Sequence, residues 1–163
     1  MLVITELAGT VDDALLARRL VERVAVPAAD SSKRRQRLTS DAGTEVALNL
    51  ERGTFLRHGA LLHDDGDRVI VVERPEEEVL LVSIDPSLPV EERVGAALWI
   101  GHAFGNQHVP VEIVDDVVRV PITTSRSLAK RTVRGLGLKG VGLEFAQVRL
   151  AADAPLTGHA HGT

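Results

Sequence analysis

The chain has no cysteine. Thiolate ligands, thiol nucleophiles and disulfides are therefore excluded together. Metal or proton chemistry near neutral pH falls to six histidines: His58, His63, His102, His108, His159 and His161. His58 and His63 lie in turn regions, and His102 lies in a helical run. His159 and His161 are i, i+2 near the C-terminus, where an extended backbone brings both rings to one ion. His108 differs. In IGHAFGNQHVPVEI, residues 100–113, it follows a helix-like run and opens a strand-like one. Packing, general-base chemistry and one half of a metal site each explain a histidine at that joint. One imidazole holds a metal weakly, but a two-fold axis at an edge strand supplies a second copy. Two tails add up to four more. Imidazole suits nickel, copper and zinc, with Ni²⁺ between Co²⁺ and Cu²⁺ in affinity. Such a site is exposed and partly open. It suits holding and handing on an ion better than activating water in a dry pocket.

Other constellations have simpler readings. GLGLKG, residues 135–140, matches G-x-G-x-x-G, but a helix precedes it and a strand follows. A dinucleotide site needs the opposite order, so the glycines read as a helix stop. His63-Asp64-Asp65-Gly66-Asp67 lacks the spacing of a calcium loop, and Asp-Gly between two strands reads as a hairpin turn. Lys33, Arg34, Arg35 and Arg37 form a basic run that reads as a solvated loop or a candidate partner-docking patch. There is no G-x-S-x-G elbow and no H-E-x-x-H, so an enzyme is the weakest reading.

The formal net charge is −4, with three Phe, one Trp and no Tyr. That is poor equipment for nucleic-acid binding, which needs basic surface and exposed aromatics. No apolar run approaches the roughly 18 residues of a membrane span, and MLVITELAG is not a signal peptide. These features point to a soluble, cytoplasmic protein with no nucleic-acid or membrane partner.

The elements around the histidines follow from periodicity. EVALNL (45–50) alternates like a half-buried strand, and RVIVVE (68–73) reads as another. Turn signals bracket both, which indicates a small all-β unit over 1–74. RPEEE (74–78) reads as a linker, or else as a solvated loop within one domain. Val79–Ile84 is a strand. Ser87 is the expected cap of a helix with Pro89, Glu91 and Glu92 in its first turn. Val90, Val94, Leu98 and Gly101, with Ala97, Ile100 and Phe104, form its expected buried face. Gly105 and Asn106 are the expected helix stops. His108–Val114 is an expected edge strand containing Pro110. Asp115-Asp116 turn the chain, and Val117–Thr123 returns as the second arm of a hairpin. Ser125 caps a second helix, and Val141–Leu150 is the last strand. The order βαββαβ over 78–150 is the ferredoxin-like arrangement, giving an α+β protein overall. Residues 151–163 form a small, polar tail carrying His159 and His161.

Gly105-Asn106-Gln107-His108-Val109-Pro110 resembles the G-N-R-H-x-P signature of the urease accessory protein UreE family, the nickel metallochaperones. RLTSDAGTEVALNLERGTFLRHGALL, residues 37–62, is similar to that family's N-terminal pattern. The resemblance implies an N-terminal β domain that binds a partner or peptide, and a C-terminal ferredoxin-like domain that binds metal and dimerises. It implies that His108 from both subunits binds Ni²⁺ at the homodimer interface, with Zn²⁺ or Cu²⁺ as competitors. The implied partners are the GTPase UreG and the urease apoprotein with its accessory complex. The chain departs from the pattern at Gln107, where the family has Arg. It also has no histidine in VVRVPITTS after the motif and keeps only His159 and His161 in its tail. The alternative is a metal-free assembly module that docks a partner through its β domain.

Overall fold

The structure is a computed structural model that describes residues 1–150, the side chains of Asp13 and Leu15 excepted. His159 and His161 lie outside the described residues. The chain divides into two compact units. One is Met1–Pro75, to which Arg149 and Leu150 also belong, and the other is Glu76–Val148.

The first unit contains β1 (Leu2–Ile4), β2 (Gly9–Thr10), α1 (Asp13–Leu16), β3 (Leu20–Ala25), β4 (Arg35–Thr39), β5 (Glu45–Asn49), β6 (Ala60–Asp64) and β7 (Arg68–Glu73). They form two sheets, β1-β5-β4 and β2-β6-β7-β3. In β5 the alternation works as read: Val46 and Leu48 point into the core, while Glu45 and Asn49 are exposed. RVIVVE in β7 is apolar on both faces for a reason. Ile70 and Val72 join the core with Ile4, Val24, Val46 and Leu48. Val69 and Val71 pack instead with Leu61, Val11, Leu16 and Val21. The unit is not wholly β, because the single turn of α1 and a 3₁₀ turn at Ala28–Asp30 interrupt it. Buried Glu22 on β3 links strands. Its carboxylate accepts from Ser40 Oγ at 2.6 Å and from Arg68 Nη1 at 3.1 Å.

The second unit contains β8 (Glu77–Ile84), α2 (Val90–Asn106), β9 (Glu112–Val114), β10 (Val117–Pro121), α3 (Arg126–Arg134) and β11 (Val141–Val148). The sheet order is β11-β8-β10-β9, with all neighbours antiparallel. Leu80, Val82, Ile100, Phe104, Val120 and Val133 make its core. Asp115 and Asp116 have φ of +50° and +62°, as a two-residue hairpin turn requires. Ser125 caps α3 by accepting from the Leu128 N–H. The start of α2 differs from expectation. Pro89 occupies the cap, and Ser87 instead donates its N–H to Asp85 at 2.9 Å. The tight Asp85–Ser87 turn uses up the residue that would have capped the helix.

Candidate metal centre

The end of α2 explains why a histidine stands at residue 108. Helices commonly stop with one residue in the left-handed conformation just past the cap. That residue is His108, with φ +53°. Its N–H donates to the Gly105 carbonyl at 3.0 Å, and the Val109 N–H reaches back to Phe104 at 3.0 Å. This pair of bonds is the Schellman stop. Val109 and Phe104 pack in the same core cluster, supplying the apolar contact that accompanies such stops. Pro110 follows, where a missing N–H prevents the helix from resuming.

Three expectations are corrected by this geometry. Gly105 and Asn106 do not stop the helix but form its last turn, since the left-handed position falls two residues later. His108 does not open a strand, because β9 starts at Glu112. Pro110 precedes the strand rather than lying in it. The position taken by His108 usually belongs to glycine, because a side chain there crowds the backbone. The imidazole is nonetheless exposed. Among the described residues, no group of three or more His, Asp or Glu is placed to hold a metal ion. His108 alone cannot form a closed site within one chain.

The surroundings of His108 are orderly. Gln107 Nε2 donates to Thr132 Oγ1 on α3 at 3.3 Å, so the residue that replaces the motif Arg ties the stop to the neighbouring helix. Asn106 Nδ2 and His102 Nε2 lie 2.9 Å apart. The Trp99 ring meets His102 edge-on with centroids 6.0 Å apart.

The expected buried face of α2 divides in two. Ala96, Ile100 and Phe104 are buried, but Val90, Val94 and Leu98 are exposed, Leu98 to 68%. Ala97 and Gly101 are exposed with them. Trp99 is 58% exposed and Ile113 on β9 is 69% exposed. The helix thus carries two apolar faces, and the described residues cover only one. Sequence reasoning missed this: the two rows were visible, but not which of them the chain covers. Positions 90, 94, 98 and 101 form one row and 96, 100 and 104 another. The exposed row runs toward the helix end where His108 sits.

The remaining candidates lie elsewhere. Arg34, Arg35 and Arg37 are exposed on and beside β4 of the first unit. His58 Nδ1 accepts the Arg74 N–H at 3.1 Å, a bond that needs the neutral ring. Burial, followed by the charge of Arg149, holds its pKa below the usual value. His63 faces Asp65 across the β6–β7 turn at 3.6 Å. That turn consumes its own carboxylates: Asp64 accepts from Gly66, and Asp65 accepts from Asp67 and Arg68. The hairpin reading of HDDGD therefore holds. GLGLKG ends α3 and leads into β11, with Gly137 and Gly140 at positive φ.

A urease accessory protein UreE 1 of Pseudomonas syringae pv. tomato is 34% identical over 130 residues, covering 75% of this chain and 84% of its own length. The chain belongs to the urease accessory protein UreE family. The family model for the UreE urease accessory protein, N-terminal domain, matches residues 4–74. UreE of Azorhizobium caulinodans is 31% identical over 146 residues, 88% of this chain and 65% of its own length. UreE of Corynebacterium efficiens is 32% identical over 121 residues, 73% of this chain and 76% of its own. As a member of this family, the chain is an accessory protein and not an enzyme.

Proposed function

We propose that this chain is a nickel metallochaperone of urease maturation. It binds Ni²⁺ as cargo at a homodimer interface and hands it to the urease assembly in the cytoplasm, working with the GTPase UreG. The observation that carries this reading is His108: an exposed imidazole held in a left-handed helix stop, beside an apolar helix face that the described residues leave open. Two copies of that face, joined about a two-fold axis, bring the two His108 rings toward one point. Each buried Val or Leu side chain contributes about 1.5–3 kcal/mol, enough for a few of them to hold a dimer.

The second unit, residues 78–150 in this reading, is the metal-binding and dimerisation domain. Its βαββαβ order and the β11-β8-β10-β9 sheet support a ferredoxin-like fold. The first, over 1–74, is the partner-binding domain. His159 and His161 add ligands to an otherwise two-coordinate site, and an open imidazole site releases its ion readily. The same chemistry admits Zn²⁺ and Cu²⁺. Calorimetric titration with Ni²⁺ tests the assignment. The parent protein binds tightly, His108→Ala loses at least tenfold in affinity, and truncation before His159 weakens binding more mildly. Equal affinity of parent and His108→Ala would remove His108 from the site.

A further inference from the structure

We infer that the open edge of β4 is a docking site for an extended, acidic segment of another protein, which adds to the β1-β5-β4 sheet as a fourth strand. The inference deepens the partner-binding role given above to the first unit, and it is independent of the metal site. β4 is the last strand of its sheet. Just past its end the Asp41 N–H donates to the Arg23 carbonyl on β3 at 2.9 Å, so the open part of the edge is the Arg35–Arg37 stretch, with which no strand pairs on the outer side among the described residues. The ladder to β5 fixes which backbone groups are free. Leu50 donates to the Arg34 carbonyl and Ser40 donates to Thr44, so with Arg35 opposite Asn49 the bonded pairs fall at Gln36 and Leu38. The N–H and C=O groups of Arg35 and Arg37 therefore point to the open edge, where an incoming strand finds a ready template.

The side chains define the guest. Arg35 and Arg37 are two residues apart and stand on the same outer face of the sheet. Exposed Val3 and half-buried Ala47 share the Arg37 register on that face. A shallow groove of about 500 Å³ lies there, lined by Arg35, Gln36, Arg37, Ala47, Leu48 and Asn49. Arg35 Nε donates to Asn49 at 3.0 Å, a neutral partner that orients the guanidinium without neutralising it. Arg34 and Arg52 line a further groove beside it. Among the described residues none of these four arginines forms an ion pair, whereas Lys33 is taken by Asp30. Glu6 and Glu51 share a groove with Arg34 and Arg35 without pairing to them, and four unpaired guanidiniums on a chain of net charge −4 favour an anionic partner. Their two-residue spacing selects carboxylates at i and i+2 of an extended segment.

Fluorescence anisotropy of the full chain with a labelled peptide tests this. The probe is a Thr/Val-rich ten-residue peptide with glutamates at alternating positions. It binds the parent, and Arg35→Glu/Arg37→Glu weakens it at least tenfold without altering the circular dichroism or Ni²⁺ affinity. Failure of nickel binding leaves this result untouched, so the two readings fail separately. A peptide N-methylated on the residues that face β4 keeps its charge but loses strand pairing, and it binds at least tenfold more weakly. The idea is overturned if the N-methylated peptide binds equally, if the double variant binds equally, or if the glutamates work as well at adjacent positions. It is also overturned if the parent self-associates through this edge in place of binding peptide.

Discussion

His108 is a costly residue where it stands. A non-glycine residue in the left-handed region carries roughly 1–2 kcal/mol of steric strain, and its ring is exposed. Strain kept at one position is a pointer to function. The expected outcome for His108→Gly is a protein that melts no lower than the parent and loses tight nickel binding. Parallel thermal melts and titrations check both halves, and a marked fall in melting temperature would mean that the ring is structural. Glu22 shows the reverse case, a charge kept for stability. Its carboxyl is held below the usual value first by the Ser40 hydroxyl, then by Thr44 and by Arg68, against the opposing effect of burial. A depressed folded pKa contributes stability that is present above the unfolded value of about 4.3 and is lost as pH falls through the folded value. Glu22→Gln should therefore cost about 1–3 kcal/mol at pH 7. The gap from the parent should narrow below about pH 4, as read by denaturant unfolding at both pH values. A pH-independent gap would contradict the assignment.

At the scale of elements, α2 both joins the core and leaves an apolar face exposed. Leu98→Glu should leave the fold intact and turn the proposed dimer into a monomer, measured by sedimentation. Trp99, the only tryptophan, reports the same event, its emission moving to the red on dissociation. Sedimentation unchanged by Leu98→Glu would exclude this face. Gly140 tests the start of the same helix from the other side. Its φ is +65°, and an added Cβ would lie 2.6 Å from Leu88 Cδ1 and 3.2 Å from Asp85 Cβ. Gly140→Ala should cost about 1–3 kcal/mol in unfolding free energy. Much of this architecture was legible in the sequence. β5 showed its alternation, β7 its short apolar run, Ser125 its cap, and Asp115-Asp116 their turn, because each depends on neighbouring residues alone. The parallel pairings of β1 with β5 and β3 with β7 were not legible, since nothing local encodes a distant partner. Nor was the exposure of Val90, Val94 and Leu98, because apolar periodicity reads the same whether the covering surface belongs to the chain or to a second copy. The GNQHVP joint was half legible: its role as a boundary was plain, but which residue turned left-handed depended on the bonds made by Phe104 and Gly105.

For the whole molecule, the proposed nickel carriage would join two apolar faces and two His108 residues in one assembly. One chain offers a single exposed imidazole at the helix stop. On the proposed reading a stable cargo site requires association, so a substitution that breaks the dimer also loses the metal, whereas loss of His108 removes the metal and leaves the dimer. Native mass spectrometry of the protein loaded with Ni²⁺ measures both together. The account predicts a dimer carrying one tightly held nickel ion, and an apo dimer for His108→Ala under the same loading. A monomer that holds nickel by itself, or a His108→Ala dimer that keeps the ion, would contradict it.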